Sequence, residues 1–178
     1  MPGIRDQECY KKKNNRVDKF QRCKWIICDV DGVLTDGRMI YTEKGDEIKQ
    51  FHVRDGLAAE QLRAHGYRLG ILSSGHSKQA ITKRFSQQGF EFISIESSSK
   101  LSRFRDFLER FNVDPSEVIY IGDDINDIEV MRLSRISICP KDAHTSVIDS
   151  VDWVLNSNGG NGCLREVSDF LLSGVMKD

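Results

Sequence analysis

The chain has little of what marks secreted, membrane-spanning or nucleic-acid-binding proteins. Its 178 residues contain no C-x-x-C pair, and the five cysteines (Cys9, Cys23, Cys28, Cys139 and Cys163) are odd in number. A disulfide framework or a zinc site is therefore not expected, and a reducing compartment is. No apolar run is long enough to span a bilayer. Basic residues near the N-terminus are followed by no apolar segment, so no secretory signal is visible and the expected location is cytoplasmic. Net charge is only −1, which gives no general reason to expect nucleic acid or a membrane as partner. The one basic cluster, Lys11-Lys12-Lys13 with Arg16, reads as part of a solvated arm over residues 1–23. No internal repeat or low-complexity tract is visible.

What is present is an ordinary globular balance, 39% hydrophobic and 30% charged. The length suits one domain, placed over residues 24–178. Short apolar runs at 25–28, 68–72, 118–121, 136–138 and 153–155, with a weaker one at 92–95, read as buried strands. Helical patterns lie between them. One covers 56–65, with Asp55 as its cap and Gly66 as its stop; others cover 78–87, after Ser77, and 164–172. The pattern over 100–111 puts Leu101, Phe104, Leu108 and Phe111 on one face, with Arg103, Asp106 and Arg110 elsewhere. Strands alternating with helices imply an α/β fold, a Rossmann-like doubly wound parallel sheet covered on both faces. Residues 39–41 and 47–51 break the alternation. They predict a small β-hairpin over the first strand's carboxyl end, where it would suit a flap.

Ligands of such sheets bind outside the carboxyl ends of the strands. Here those ends are acidic. The first strand runs into Asp29-Val30-Asp31-Gly32, and the strand at 118–121 into Gly122-Asp123-Asp124-Ile125-Asn126-Asp127. Carboxylates gathered at one edge repel unless a cation lies among them, and oxygen-only ligands favour Mg²⁺. The strand at 68–72 is followed by Ser73-Ser74-Gly75, a hydroxyl and a glycine N–H ahead of a helix, which suits phosphate. Lys100 opens a helix, where its charge opposes the macrodipole, so anion binding is the natural alternative role. Taken singly, each motif is more often a turn, a cap or a surface lysine.

Taken in order, Asp29-x-Asp31-Gly32, Ser74-Gly75, Lys100 and Gly122-Asp123-Asp124-x-x-Asp127 resemble the haloacid dehalogenase superfamily of phosphohydrolases. The likeness is closest to its capless branch, the 3-deoxy-D-manno-octulosonate 8-phosphate (KDO 8-phosphate) phosphatases. It is carried by residues 29–37, by Val53-Arg54-Asp55-Gly56, and by Gly159-Gly160-Asn161-Gly162-Cys163-Leu164-Arg165-Glu166. The resemblance implies Asp29 as nucleophile, forming an aspartyl-phosphate, and Asp31 as general acid and base. It implies Mg²⁺ on Asp29, Asp123 and the Asp31 carbonyl, supported by Asp124 and Asp127. Ser74, Gly75 and Lys100 would hold the phosphoryl oxygens. His52, Val53, Arg54, Asp55, Gly56, His76, Arg84 and Arg165 would contact the substrate, a small sugar acid phosphate.

The gaps between motifs leave no room for a cap domain. Capless relatives close the site by oligomerising, usually as homotetramers, and the 159–162 glycine run with Arg165 resembles the tail that reaches a neighbour's site. His76 stands where KDO 8-phosphate phosphatases usually carry arginine and nine-carbon relatives glutamate, and Glu60 stands where arginine is common. A nine-carbon 3-deoxy sugar acid 9-phosphate (KDN or N-acylneuraminate 9-phosphate) is therefore the alternative substrate. A receiver domain would place its phosphorylated aspartate after the acidic pair, not before it. A catalytically silent homologue is the remaining alternative, against which all the core motif residues are present.

Overall fold

The computed structural model describes residues 19–75 and 77–173, so most of the expected arm and His76 lie outside the described residues. Six parallel strands form the main sheet in the order β5-β4-β1-β6-β7-β8. They are β1 (Trp25–Cys28), β4 (Arg68–Ser73), β5 (Phe92–Ile95), β6 (Val118–Ile121), β7 (Ile136–Cys139) and β8 (Trp153–Val154). Between β1 and β4, β2 (Ile40–Tyr41) and β3 (Glu47–Ile48) pair antiparallel as the expected hairpin. The first winding runs from β1 to β4 and β5, and the second returns to β6 on the other side of β1. The order therefore reverses beside β1, where a crevice opens at the carboxyl edge.

β1 and β6 read as unbroken apolar runs because both of their faces are covered. Alternate residues enter two cores. Ile26, Cys28, Ile119 and Ile121 pack on one side with α1 (Val53–Ala64), α2 (Lys78–Gln87) and the last helix, α6 (Cys163–Leu172). Trp25, Ile27, Val118 and Tyr120 pack on the other with α3 (Lys100–Phe111), α4 (Ile128–Leu133) and α5 (Thr145–Ile148). No cap domain interrupts the sheet, and among the described residues no helix is long and apolar enough to cross a membrane. Cys23, Cys28, Cys139 and Cys163 are buried free thiols.

Four expectations need correction. Phe20 and Cys23 belong to the core, and the Phe20 ring packs on Phe170 at 5.1 Å, so the packed body starts before residue 24. α1 starts at Val53, three residues before the expected start, and its cap is His52, whose Nδ1 accepts from the Arg54 N–H at 3.1 Å. Asp55 sits inside the first turn. Its carboxylate crosses to α6 and accepts from the Arg165 N–H at 3.0 Å, supplying the cap that Gly162 has no side chain to give. On α3 the buried face is Lys100, Arg103, Phe104 and Phe107, so Arg103 points inward and Phe107 replaces Leu101. α4 and α5, at 6 and 4 residues, are too short to show a period.

Candidate active site

Strand register sets the site. Cys28 lies level with Ile121 on one side and Ile71 on the other. Asp29, Asp123 and the Ser73–Gly75 turn therefore leave the sheet at one level. The Asp29 N–H is still held by the Ile121 carbonyl at 2.9 Å, and the Asp29 carboxylate is buried. Lys100 comes to it from the start of α3. Its ammonium lies 2.5 Å from Asp29 Oδ2 and 2.7 Å from Asp127 Oδ1.

Asp127 is fully buried and holds the site together. Its Oδ1 accepts from Lys100 and from the Tyr120 hydroxyl, at 2.6 Å. Its Oδ2 accepts from the N–H groups of Asp123 and Asp124 at 3.1 and 3.3 Å. Both oxygens are thus occupied, Oδ1 in seating Lys100 and Oδ2 in shaping the 122–127 loop. Asp124 is more exposed, and its carboxylate accepts from the Ile125 N–H at 2.7 Å. Gly32 has φ of +81°, and a side chain there would strike the Asp123 carboxylate, so glycine lets the first and last motifs close on each other.

Asp29, Asp123 and Asp127 each place one carboxylate oxygen within 4.8 Å of the others. Burial, then the charge of Asp127, pushes the Asp29 carboxyl up to about 6. Burial, then Asp29 and Asp127, pushes Asp123 up to about 8. Burial works against the charge on Lys100, but Asp29 and Asp127 raise its pKa above the ordinary lysine value. One ammonium among three crowded carboxylates leaves negative charge in excess. An all-oxygen set of this kind fits a hard divalent ion such as Mg²⁺.

Asp31 faces the same cavity, of about 310 Å³, which Ser74, Gly75 and Asn126 also line. Its Oδ1 accepts from Lys49 at 2.5 Å and Thr35 at 3.2 Å, and its Oδ2 lies where a side chain on residue 75 would fall. The Gly75 N–H donates to Ser73 Oγ at 3.1 Å. Asp29, Asp31, Ser74, Gly75, Lys100 and Asp123 are thus brought together.

Among the described residues, the expected substrate set is not gathered there, and His76 lies outside the described residues. None of residues 52–56 lines the acidic cavity, because 53–56 are the first turn of α1. His52 lines a separate cavity of about 390 Å³, with Asp36, Phe51 and Gly159. The Arg84 guanidinium occupies the space beside Gly56 where a side chain would fall, and its buried Nε has no hydrogen-bond partner. Arg165 pairs with Asp169 at 2.7 Å. Gly159 and Gly160 lie against the chain's own 32–36 loop, with the Gly160 N–H on the Val33 carbonyl at 2.9 Å. The pattern of the sequence missed Lys49, Arg103 and Tyr120. A lysine ending a hairpin and a second cation one turn after Lys100 were the available signals.

A parallel sheet carrying D-x-D after its first strand, with lysine and a second acidic loop beside it, defines a class. Residues 69–167 match the haloacid dehalogenase-like hydrolases. The chain belongs to that family. It is 35% identical, over 86% of its length and 85% of the other's, to 3-deoxy-D-manno-octulosonate 8-phosphate phosphatase KdsC of Haemophilus influenzae. The Escherichia coli K12 KdsC is also 35% identical, over 88% of this chain and 82% of that one. The Moraxella catarrhalis phosphatase of that name, solved with magnesium ion, phosphate ion and KDO, superposes with TM-score 0.85. It is 30% identical, with 90% of this chain and 91% of that chain covered.

Proposed function

We propose that the chain is a Mg²⁺-dependent phosphatase that hydrolyses 3-deoxy-D-manno-octulosonate 8-phosphate through an aspartyl-phosphate on Asp29. The observation that carries this reading is the buried Lys100 ammonium, held against Asp29 Oδ2 beside the Ser74–Gly75 turn. It keeps the nucleophile in place and offers positive charge to the incoming phosphoryl group.

Asp29 Oδ2 attacks phosphorus. Asp31, at the mouth between Lys49 and Gly75, gives a proton to the leaving sugar oxygen and later takes one from water. Ser74, the Gly75 N–H and Lys100 bind the phosphoryl oxygens once the Gly75 N–H leaves Ser73. The Asp29 and Asp123 carboxylates and the Asp31 carbonyl would hold Mg²⁺, which supplies charge neutralisation at the phosphoryl group. Asp127 and Asp124 shape the loop behind them. His52, Val53, Arg54, Asp55, Gly56, His76, Arg84 and Arg165 are the substrate-contacting set; Arg84 is supported by its unpartnered Nε. Residues from about Lys24 onward form one phosphatase domain, to which Phe20 and Cys23 are packed.

We further propose a homotetramer in which residues near Arg165 close a neighbour's site. The hairpin supports assembly, since Met39, Ile40, Tyr41 and Ile48 are all 44–59% exposed, more apolar surface than one small hairpin leaves to water without reason. Light scattering tests this, and a fully active monomer sinks it. The substrate test is a kcat/KM panel of KDO 8-phosphate against KDN and N-acylneuraminate 9-phosphates in Mg²⁺. KDO 8-phosphate ranks first if the reading holds. His76 and Glu60, which depart from the usual pattern, are the residues that keep the nine-carbon alternative in the panel.

A further inference from the structure

α3 opens with two cations three residues apart, and both are buried: Lys100 is 4% exposed and Arg103 7%. The chemistry above uses Lys100 and leaves Arg103 without a role. The Arg103 guanidinium turns to the next strand pair. Nη1 donates to the Ser73 carbonyl at 3.1 Å, Ser94 Oγ at 3.0 Å and the Ser94 carbonyl at 3.3 Å. Nε donates to the Ser98 carbonyl at 3.2 Å, and Nη2 to Ser74 Oγ at 3.5 Å. Every acceptor is neutral. Among the described residues Arg103 enters no ion pair; burial works against its charge, and the carboxylates of Glu96 and Asp29 favour it only from beyond ion-pair contact.

A buried cation with no carboxylate in contact is costly to keep. A neutral side chain could brace the end of β4 without that cost. The charge lies directly behind Ser74, whose hydroxyl lines the acidic cavity. We propose that Arg103 is a positioning residue of the phosphate site. Its planar fork fixes Ser73 and Ser74 at the end of β4 and aims the Ser74 hydroxyl. Its charge, which no carboxylate contacts, is offset further when a phosphoryl dianion enters the cavity. The role rests on the phosphatase reading above, since the anion is the substrate's phosphoryl group.

The test is calorimetric titration of inorganic phosphate, with Mg²⁺ present, into the full chain and its Arg103→Met and Arg103→Lys variants. Arg103→Met binds phosphate roughly tenfold more weakly. Its KM for a sugar phosphate rises by a similar factor while kcat falls less, and its thermal stabilisation by Mg²⁺ is kept. Arg103→Lys keeps the charge, loses the fork and falls between. Phosphate affinity within twofold of wild type in a folded Arg103→Met protein, whatever its melting temperature, overturns the proposal. If that variant does not fold, unchanged affinity in Arg103→Lys overturns it. A wild type that binds phosphate but hydrolyses no phosphate ester ends the phosphatase reading. Loss of phosphate binding in Arg103→Met would still support the proposal.

Discussion

At the carboxyl edge of the sheet, the charged groups are buried and partnered within the chain. Asp29, Lys100, Asp127 and Tyr120 bond to one another, and Asp127 also holds the loop N–H groups. The hairpin is the reverse. Its polar ladder is two residues long on each side, and its apolar side chains face outward. A two-stranded ribbon of that size has little stability of its own. One ion pair from Lys49, whose side chain is 2% exposed, ties it to Asp31 and so to the chemistry. The centre is held together within one chain, whereas the hairpin leaves its apolar side chains exposed on that chain.

The sharpest way to break this contrast is at its centre. Asp29→Asn removes the proposed nucleophile, and phosphate release should fall by about 10⁴-fold; activity kept in the variant, or in EDTA, refutes the mechanism. Asp127→Ala strips acceptors from Lys100, Tyr120 and the 122–127 loop. It should cost about 3–5 kcal/mol in a urea titration, and a cost near zero would show that the edge does not depend on its buried network.

Lys49→Met tests the tie between the regions. With Asp31 less well placed as an acid, kcat on an alkyl sugar phosphate should drop roughly tenfold. p-Nitrophenyl phosphate, whose leaving group needs no proton, should hardly change. Equal losses on both substrates would make Lys49 a structural strut alone. Tyr41→Ser with Ile48→Ser should lower the mass seen by light scattering and leave the circular dichroism of the sheet unchanged. An unaltered mass would mean that the hairpin is not the contact.

The smallest effect is in pH. Asp29 and Asp123 hold their protons up to about 6 and about 8 in the folded chain, against about 3.9 when unfolded. Between those values the folded state binds more protons, so the metal-free protein loses stability as pH rises. Mg²⁺ needs both carboxylates ionised. The melting-temperature gain on adding Mg²⁺ should therefore grow by a few degrees between pH 5 and pH 8. A gain that is flat or falls over this range would place the ion elsewhere.

Much of the edge was legible because its signals are local. The strands at 25–28 and 118–121 are unbroken apolar runs, and the acidic motifs follow them directly. The rest depends on partners distant in sequence. Asp55 reads as a cap for the helix beside it, yet its acceptor bond is made with Arg165. Arg103 reads as a solvent-facing charge, since no pattern in α3 announces the Ser73 and Ser94 carbonyls that receive it. Lys49 reads as part of a polar hairpin until folding brings Asp31 to it.

The lodging of Gly159 and Gly160 over the 32–36 loop has a consequence for synthesis. On the ribosome Asp29 emerges before the strands that flank it and before the glycines that roof its loop. An emerging chain therefore carries Asp29 without a seat for it until those glycines have been made. Activity should switch on as a whole, when α6 docks, so a chain cut before Gly159 has no half-formed enzyme to release.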